Sequence, residues 1–376
     1  MDDVVPTVAV VGGGLIGGSI ALAARRGGAA RVLLTDRDAA VRDRARALDL
    51  ADEVVDDVPG AVAAADVVVA AIPSAAVAEV LVAAARHAPR GAILTDAASL
   101  KRAVTAEVTA RLAAEDLAPG RYVGGHPMAG SERNGPEAAD GTLFQGATWV
   151  LTPTEATDDA ALHRLSALLR GFGARVLALP PDRHDELVAI VSHLPQVVAS
   201  ALADVAADVV AASGEVVLAV AGGGFRDTTR IAASDPDLWV PILSGNRTAV
   251  LEALDHYRGR LDEIRAAVAA DDAVALRRVL DRAARARRRL VPKAQAAEMV
   301  DLVVPLADRP GALAAAATAL GAAAVNVEDV SMRHAEAGDR GVLLVRVAAD
   351  TAARGRAALV AAGLAAHVEP VASDVD

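Results

Sequence analysis

The chain has no cysteine, which excludes disulfides, thiolate nucleophiles, zinc ribbons and iron–sulfur clusters. Lysine is almost missing: of 38 basic residues only Lys101 and Lys293 are lysines. Aromatic residues make up 2%, and the apolar content is mostly Ala, Val and Leu. This Ala/Arg/Val bias matches a GC-rich bacterial genome and says little about function. Positive charge is in deficit, the formal net charge being −11, which argues against nonspecific nucleic-acid binding and against an anionic membrane surface. Long apolar runs are scarce. Ala312–Val325, read as the longest, spans roughly 14 residues where a membrane span needs about 20. The N-terminus, MDDVVPTVAVVGGG, lacks the basic start and cleavage site of a signal peptide. A soluble, cytoplasmic protein without a membrane or nucleic-acid partner is expected.

What is present is an α/β pattern. At 376 residues, and roughly 100 to 200 residues per domain, two or three domains are expected. Hydrophobic residues are 53% and charged residues 23%, enough to build sizeable cores. β-Branched runs at Val8–Val11, Arg31–Thr35, Asp66–Ile72 and Ala92–Thr95 alternate with helical stretches such as Leu15–Arg26 and Arg37–Leu48. That alternation predicts right-handed βαβ units and a doubly wound parallel sheet of the Rossmann class over residues 1–180. Further strands are expected at Thr148–Leu151 and Arg175–Leu179, with a helix from near Asp158. Over residues 181–297 strand signals vanish and helical spacing takes over, as in His184–Ala212 and Ala249–Ala269, so an all-helical domain is expected. Its arginine run, Arg282 to Arg289, reads as a solvated helix face. Residues 298–376 follow the order βαββαβ, a ferredoxin-like split βαβ unit.

The first strand runs into GGGLIGGS, where Gly12, Gly14 and Gly17 satisfy G-x-G-x-x-G. Gly12 permits the tight turn, Gly14 lets the backbone approach a pyrophosphate, and Gly17 lets the helix pack against the sheet. The pyrophosphate then sits on the N-terminal amides of the helix. Asp36 closes the second strand about 20 residues further on, where a carboxylate binds ribose hydroxyls and repels a 2′-phosphate. NAD is therefore expected rather than NADP, although Arg37 next to it could serve a 2′-phosphate.

Four polar clusters follow. They are Asp96 to Lys101 (DAASLK), Gly124 to Glu132 (GGHPMAGSE), Ser192 to Gln196 (SHLPQ), and Gly224 to Ile231 (GFRDTTRI) with Ser234 to Trp239 (SDPDLW). His126, between two glycines and a proline, reads as a general base on a shaped loop. No His or acidic cluster has metal-ligand spacing, so no metal is expected.

These motifs, in this order, resemble the prephenate/arogenate dehydrogenase family of tyrosine biosynthesis, and the terminal unit, with Asp308-Arg309-Pro310-Gly311 after its first strand, resembles an ACT domain. The resemblance implies a Rossmann domain, a helical dimerisation and substrate domain, and an ACT-like regulatory domain. It implies that Gly12, Gly14, Leu15, Ile16, Gly17 and Asp36 bind NAD. His126 matches the base that takes the ring-hydroxyl proton as hydride leaves, and Ser99 the hydroxyl that bonds base and substrate. Arg230 matches the partner of a substrate carboxylate, His193 a histidine near the substrate side chain, and Ser131 and Glu132 polar residues at the mouth. Arg230 and Lys101 are the cations expected to set the field in the cleft. The implied reaction is NAD-dependent oxidative decarboxylation of prephenate to 4-hydroxyphenylpyruvate, in a homodimer. One departure stands out: many members read SHLPH where this chain has Gln196, so arogenate remains an alternative substrate.

Other readings accompany these. An amino-acid sensor with an inactive Rossmann half is a rival of another class. Ser99 also fits a helix N-cap, Trp239 a core or interface residue, Phe225 a core residue, and Arg226 with Asp227 a local salt bridge. His87, His163, His184, His256, His334 and His367 read as solvated or structural. The terminal unit binds an effector, tyrosine being expected, near Asp308, Gly311 and Asn326, or serves only to dimerise.

Overall fold

The structure is a computed structural model that describes residues 5–130, 133–213, 220–290, 299–307, 311–334 and 340–370. It divides into two compact units, 1–263 and 264–376.

The first unit is built on an eight-stranded sheet. Its strands are β1 (Thr7–Val11), β2 (Arg31–Thr35), β3 (Glu53–Val54), β4 (Val67–Ala70), β5 (Ile93–Asp96), β6 (Tyr122–Pro127), β7 (Thr148–Thr152) and β8 (Arg175–Ala178), in the order β3-β2-β1-β4-β5-β6-β7-β8. The intervening helices are α1 (Leu15–Arg26), α2 (Ala39–Ala47), α3 (Val58–Val62), α4 (Ser74–His87), α5 (Arg102–Ala114) and α6 (Asp159–Gly171). Strand side chains alternate between two cores. Val8, Val10, Val67 and Val69 pack on the face that also buries Phe144, Trp149 and Phe172, while Ala9, Val11, Val68 and Ala70 face α4 and α5. Burial on both faces is why these strands read as continuous apolar runs, each buried Val contributing about 1.5–3 kcal/mol.

From β3 to β6 every pairing is parallel, but β7 runs antiparallel to β6, and β8 parallel to β7. The β6–β7 connection carries a 3₁₀ turn, Pro136–Ala138, in place of the long helical crossover that a parallel neighbour uses. β6 itself corrects the sequence reading, which put His126 on a loop. Its low strand propensity, with two glycines and a terminal proline, is overridden by pairing on both sides, to β5 and to β7.

The rest of the unit is helical: α7 (Pro181–Val188), α8 (Leu194–Ser213), α9 (Gly223–Thr229), α10 (Pro236–Gly245) and α11 (Arg247–Ala269), which crosses into the second unit. Between α7 and α8, residues Ala189–His193 form a π turn in which the Leu194 amide donates to the Ala189 carbonyl, five residues back. Pro195 explains it: proline has no N–H, and its ring clashes with the preceding turn of a regular helix. The stretch Leu187–Ala203 has no Asp, Glu, Lys or Arg and outruns Ala312–Val325, and the helix Pro181–Ala211 is long and apolar enough to cross a membrane by length and composition. Its N-terminal part is tied into the sheet by buried His184 and Asp185, and Ile190, Val191, Val205 and Val209 are exposed on it.

The second unit holds α12 (Ala273–Leu290) and, in chain order, β9 (Met299–Ala307), α13 (Ala312–Ala322), β10 (Asp329–His334), β11 (Arg340–Ala348), α14 (Ala349–Ala361) and β12 (His367–Pro370). The sheet is antiparallel, ordered β10-β11-β9-β12. Leu302, Val304, Leu343 and Val345 on the sheet, with Leu320 and Leu359 on the helices, form its core.

Candidate active site

Parallel strands β1, β2, β4 and β5 end on one edge, and the strand order turns back between β1 and β4, the place where open α/β sheets bind ligands. Gly12 lies there with φ +106°, and a Cβ on it would stand 2.3 Å from the Ala71 carbonyl oxygen. A Cβ on Gly17 would stand 1.8 Å from the Gly12 oxygen, whereas one on Gly14 would meet nothing within 4 Å. The close contacts are thus internal at Gly12 and Gly17, and Gly14, which caps α1, presents open space. The first amides of α1, at Leu15 and Ile16, have no partner within the helix. Asp36 accepts the Gly13 amide at 2.7 Å and the Asp38 amide at 2.9 Å, and its remaining lone pairs suit hydroxyl donors. This cradle fits a dinucleotide.

The next strand ends supply the polar centre. Asp96, at the end of β5, is fully buried and paired with Lys101. It also accepts the Ala98 amide at 2.9 Å and the Tyr122 hydroxyl at 2.8 Å. Burial pulls the Lys101 ammonium below its ordinary value, and the Asp96 carboxylate pulls it back up. Its Nζ also donates to the Gly125 carbonyl at 2.7 Å, just before His126. Lys101 therefore braces β6 from within, and the sequence-based expectation of a cation in the cleft holds only for Arg230.

His126 Nδ1 lies 2.8 Å from His184 Nε2. His184 Nδ1 lies 2.8 Å from Asp185 Oδ1, and Asp185 accepts the amides of Lys101 and Arg102 at 2.9 and 3.0 Å. Asp185 thereby caps α5, a role that Ser99 also fitted by sequence. Burial opposes the Asp185 charge, but the hydrogen bonds from His184 and the two amides hold its carboxyl below the usual range. Burial, then His184, Lys101 and His193, keep His126 well below 6.5, so its ring is neutral.

His193, placed by the π turn, is 1% exposed, and burial lowers it to about 4. Asn246 Nδ2 donates to the Asp185 carbonyl at 2.7 Å and reaches His193 Nδ1 at 3.3 Å. An amide nitrogen only donates, so His193 Nδ1 accepts and its proton sits on Nε2. Trp239 packs edge-on to the His193 ring at 6.2 Å.

A cavity of about 670 Å³ joins Ser99, His126, His193, Gln196, Arg230 and Trp239. Ser99 lines it without a hydrogen bond to His126, whose partner is His184. Gln196 is buried with no hydrogen-bond partner at Oε1. Ser131, Glu132 and Asp308 lie outside the described residues. Gly311, with φ +89°, caps α13, and Asn326 bonds Glu328 at 2.6 Å in the second unit. Arg226 bonds the Ala221 carbonyl at 3.0 Å, and Phe225 is half-buried on α9. Sequence reasoning missed His184 and Asp185. Their signal in the sequence is weak, a His-Asp pair among the other charged residues of α7, Asp182, Arg183 and Glu186.

A dinucleotide crevice and a neutral histidine facing a cation-bearing cavity define a nicotinamide-dependent dehydrogenase. Family models for the prephenate dehydrogenase nucleotide-binding domain and dimerization domain match residues 20–178 and 180–282. The chain is 32% identical to prephenate dehydrogenase of Bacillus subtilis, over 93% of this chain and 94% of that one. It is 35% identical to cyclohexadienyl dehydrogenase of Zymomonas mobilis, over 70% and 89%. A prephenate dehydrogenase from Aquifex aeolicus, solved with hydroxyphenyl propionate and NAD+, superposes with TM-score 0.70 at 29% identity, covering 77% of this chain and 100% of that one. Synechocystis arogenate dehydrogenase gives 0.66 at 31%, covering 76% and 100%. The chain belongs to the prephenate dehydrogenase family.

Proposed function

We propose that the chain oxidises prephenate to 4-hydroxyphenylpyruvate and CO2 with NAD, in the tyrosine branch of aromatic biosynthesis. One observation carries this reading: neutral His126 and the Arg230 guanidinium line the same cavity. Gly12, Gly14, Leu15, Ile16 and Gly17 hold the pyrophosphate, and Asp36 the ribose hydroxyls. Bound NAD supplies the hydride acceptor. Arg230 pairs with a substrate carboxylate in the planar fork that suits it. His193 donates from Nε2 to the substrate side chain, and Ser99 bonds the ring hydroxyl. His126 takes the hydroxyl proton, and the ring then loses CO2 because the product is aromatic.

The test is NADH formation with prephenate and with arogenate, each with NAD and NADP. Turnover of prephenate with NAD is expected, and His126→Asn should lower kcat by about 10²–10⁴-fold. Turnover of neither substrate overturns the reading.

Gln196 favours a second substrate. Its buried, unpartnered carbonyl can accept from the ammonium of arogenate, which a keto acid lacks. Gln196→His should lower the arogenate-to-prephenate ratio of kcat/KM.

The organisation is proposed as a NAD-binding domain (1–180), a helical domain (181–297) and an ACT-like domain (298–376), acting in the cytoplasm. Exposed Ile190, Val191, Val205 and Val209 support a homodimer through the helical domain. The antiparallel order β10-β11-β9-β12 supports the ACT assignment, with tyrosine bound near Asp308, Gly311 and Asn326.

A further inference from the structure

The proton relations behind His126 are fixed by the chemistry of its neighbours. Asp185 is ionised and can only accept, so His184 carries its proton on Nδ1, 2.8 Å from Asp185 Oδ1. A neutral His184 then presents a bare Nε2, 2.8 Å from His126 Nδ1. His126 therefore donates from Nδ1, and its lone pair lies on Nε2, the nitrogen left to the cavity. Taken alone this is a weak base, because burial and neighbouring rings depress its pKa. A proton resting on that ring is poorly held.

We propose that His184, backed by Asp185, is a positioning residue that takes over the proton as His126 accepts one from substrate. The inference rests on the dehydrogenase reading given above. The substrate O–H breaks as His126 Nε2–H forms, and His126 Nδ1–H breaks as His184 Nε2–H forms. The C–H electron pair leaves as hydride to NAD. Charge then rests on the His184 imidazolium against the Asp185 carboxylate, while His126 stays neutral. Loss of CO2 leaves the ring oxygen as a phenolate, which takes one proton back. The net reaction, prephenate plus NAD+ to keto acid, CO2 and NADH, releases no proton. The site therefore needs a place to hold one proton and return it, and the relay run in reverse does so.

The surrounding charges agree. Lys101, although paired with Asp96, and the neighbouring His193 both disfavour a cation on His126. Asp185, in hydrogen-bond contact with His184, is the anion that favours one there.

The full-length protein is tested in two ways. Nitrogen-15 NMR of the histidine rings, assigned with His126→Asn and His184→Gln, should find both His126 and His184 protonated on Nδ1 in the free protein. An Nε2–H tautomer on either ring overturns the relay whatever the activity. In His184→Gln the side-chain carbonyl still accepts the His126 Nδ1–H, so KM should stay within about threefold while kcat falls about 100-fold. The acid limb of the kcat profile should move to lower pH, since His126 then titrates alone. Asp185→Asn keeps an acceptor for the α5 amides and should move the limb the same way, which decides the matter if His184→Gln does not fold. A loss of kcat with the limb unmoved marks a structural role and overturns the proposal. If the unaltered enzyme turns over neither prephenate nor arogenate, the dehydrogenase reading fails, and the ring tautomers still report on the relay.

Discussion

The Asp36 carboxylate accepts the Gly13 amide at 2.7 Å, so the residue that follows β2 also fixes the turn that follows β1. The acid is thus part of the turn before any ribose reaches it. Asp36→Ser removes a charged hydrogen bond of about 1.5–3 kcal/mol. The expected result is a roughly 10- to 100-fold loss of kcat/KM with NAD and a smaller loss with NADP, since the repulsion of a 2′-phosphate also goes. Cofactor titrations with both nucleotides check it; an unchanged NADP-to-NAD ratio removes Asp36 from the ribose site.

Gly14 and Gly17 separate binding from folding. Gly17→Ala puts a methyl into the Gly12 carbonyl and should destabilise the domain by about 1–3 kcal/mol or more. Gly14→Ala adds its methyl in open space, so the melting temperature should hold while NAD affinity drops about tenfold or further. Equal effects of the two on stability would show that the cradle is not preformed.

Lys101→Met leaves Asp96 buried without its counter-charge, and the expected loss is about 3–5 kcal/mol. Adding Asp96→Asn should recover at least half of it, because the amide keeps a carbonyl for the Ala98 amide. Urea unfolding of the single and double variants gives the coupling. Additive losses would mean the pair does not act as a unit.

His193 is lowered to about 4 in the folded chain from an unfolded value near 6.5. Between those values the unfolded chain binds a proton that the native state refuses. Stability is therefore full above about pH 6.5 and falls as the pH drops toward 4. Urea midpoints at neutral pH and at about pH 5 should differ by less in His193→Gln than in the unaltered protein.

Where local sequence and tertiary pattern agree, the fold was legible. β2 and α1 lie where β-branched and Ala-rich runs place them, and the NAD fingerprint sits on one turn within one βα unit. β6 was not legible, because its glycines are demanded from outside. A Cβ on Gly125 would stand 2.5 Å from the Asp96 carbonyl oxygen, and one on Gly124 would stand 2.4 Å from Thr152 Oγ1. Nothing local to that strand announces this. His184 was lost for the same reason: its partner is His126 on a strand far earlier in the chain, brought near only by docking of α7. Gln196 was legible as a departure, but its orphaned oxygen is visible only in the packed site.

The widened turn at Ala189–His193 sets the phase of everything that follows it. Pro195→Ala removes the cause of the widening and leaves the residue count unchanged, so a segment relaxed to 3.6 residues per turn would rotate everything beyond it by about 100° relative to α7. His184 and Asp185 would keep their places while His193 and Gln196 swung off the cavity wall. A change at Pro195, which carries no proton and no charge, would then leave the base intact and take away the substrate's side-chain pocket.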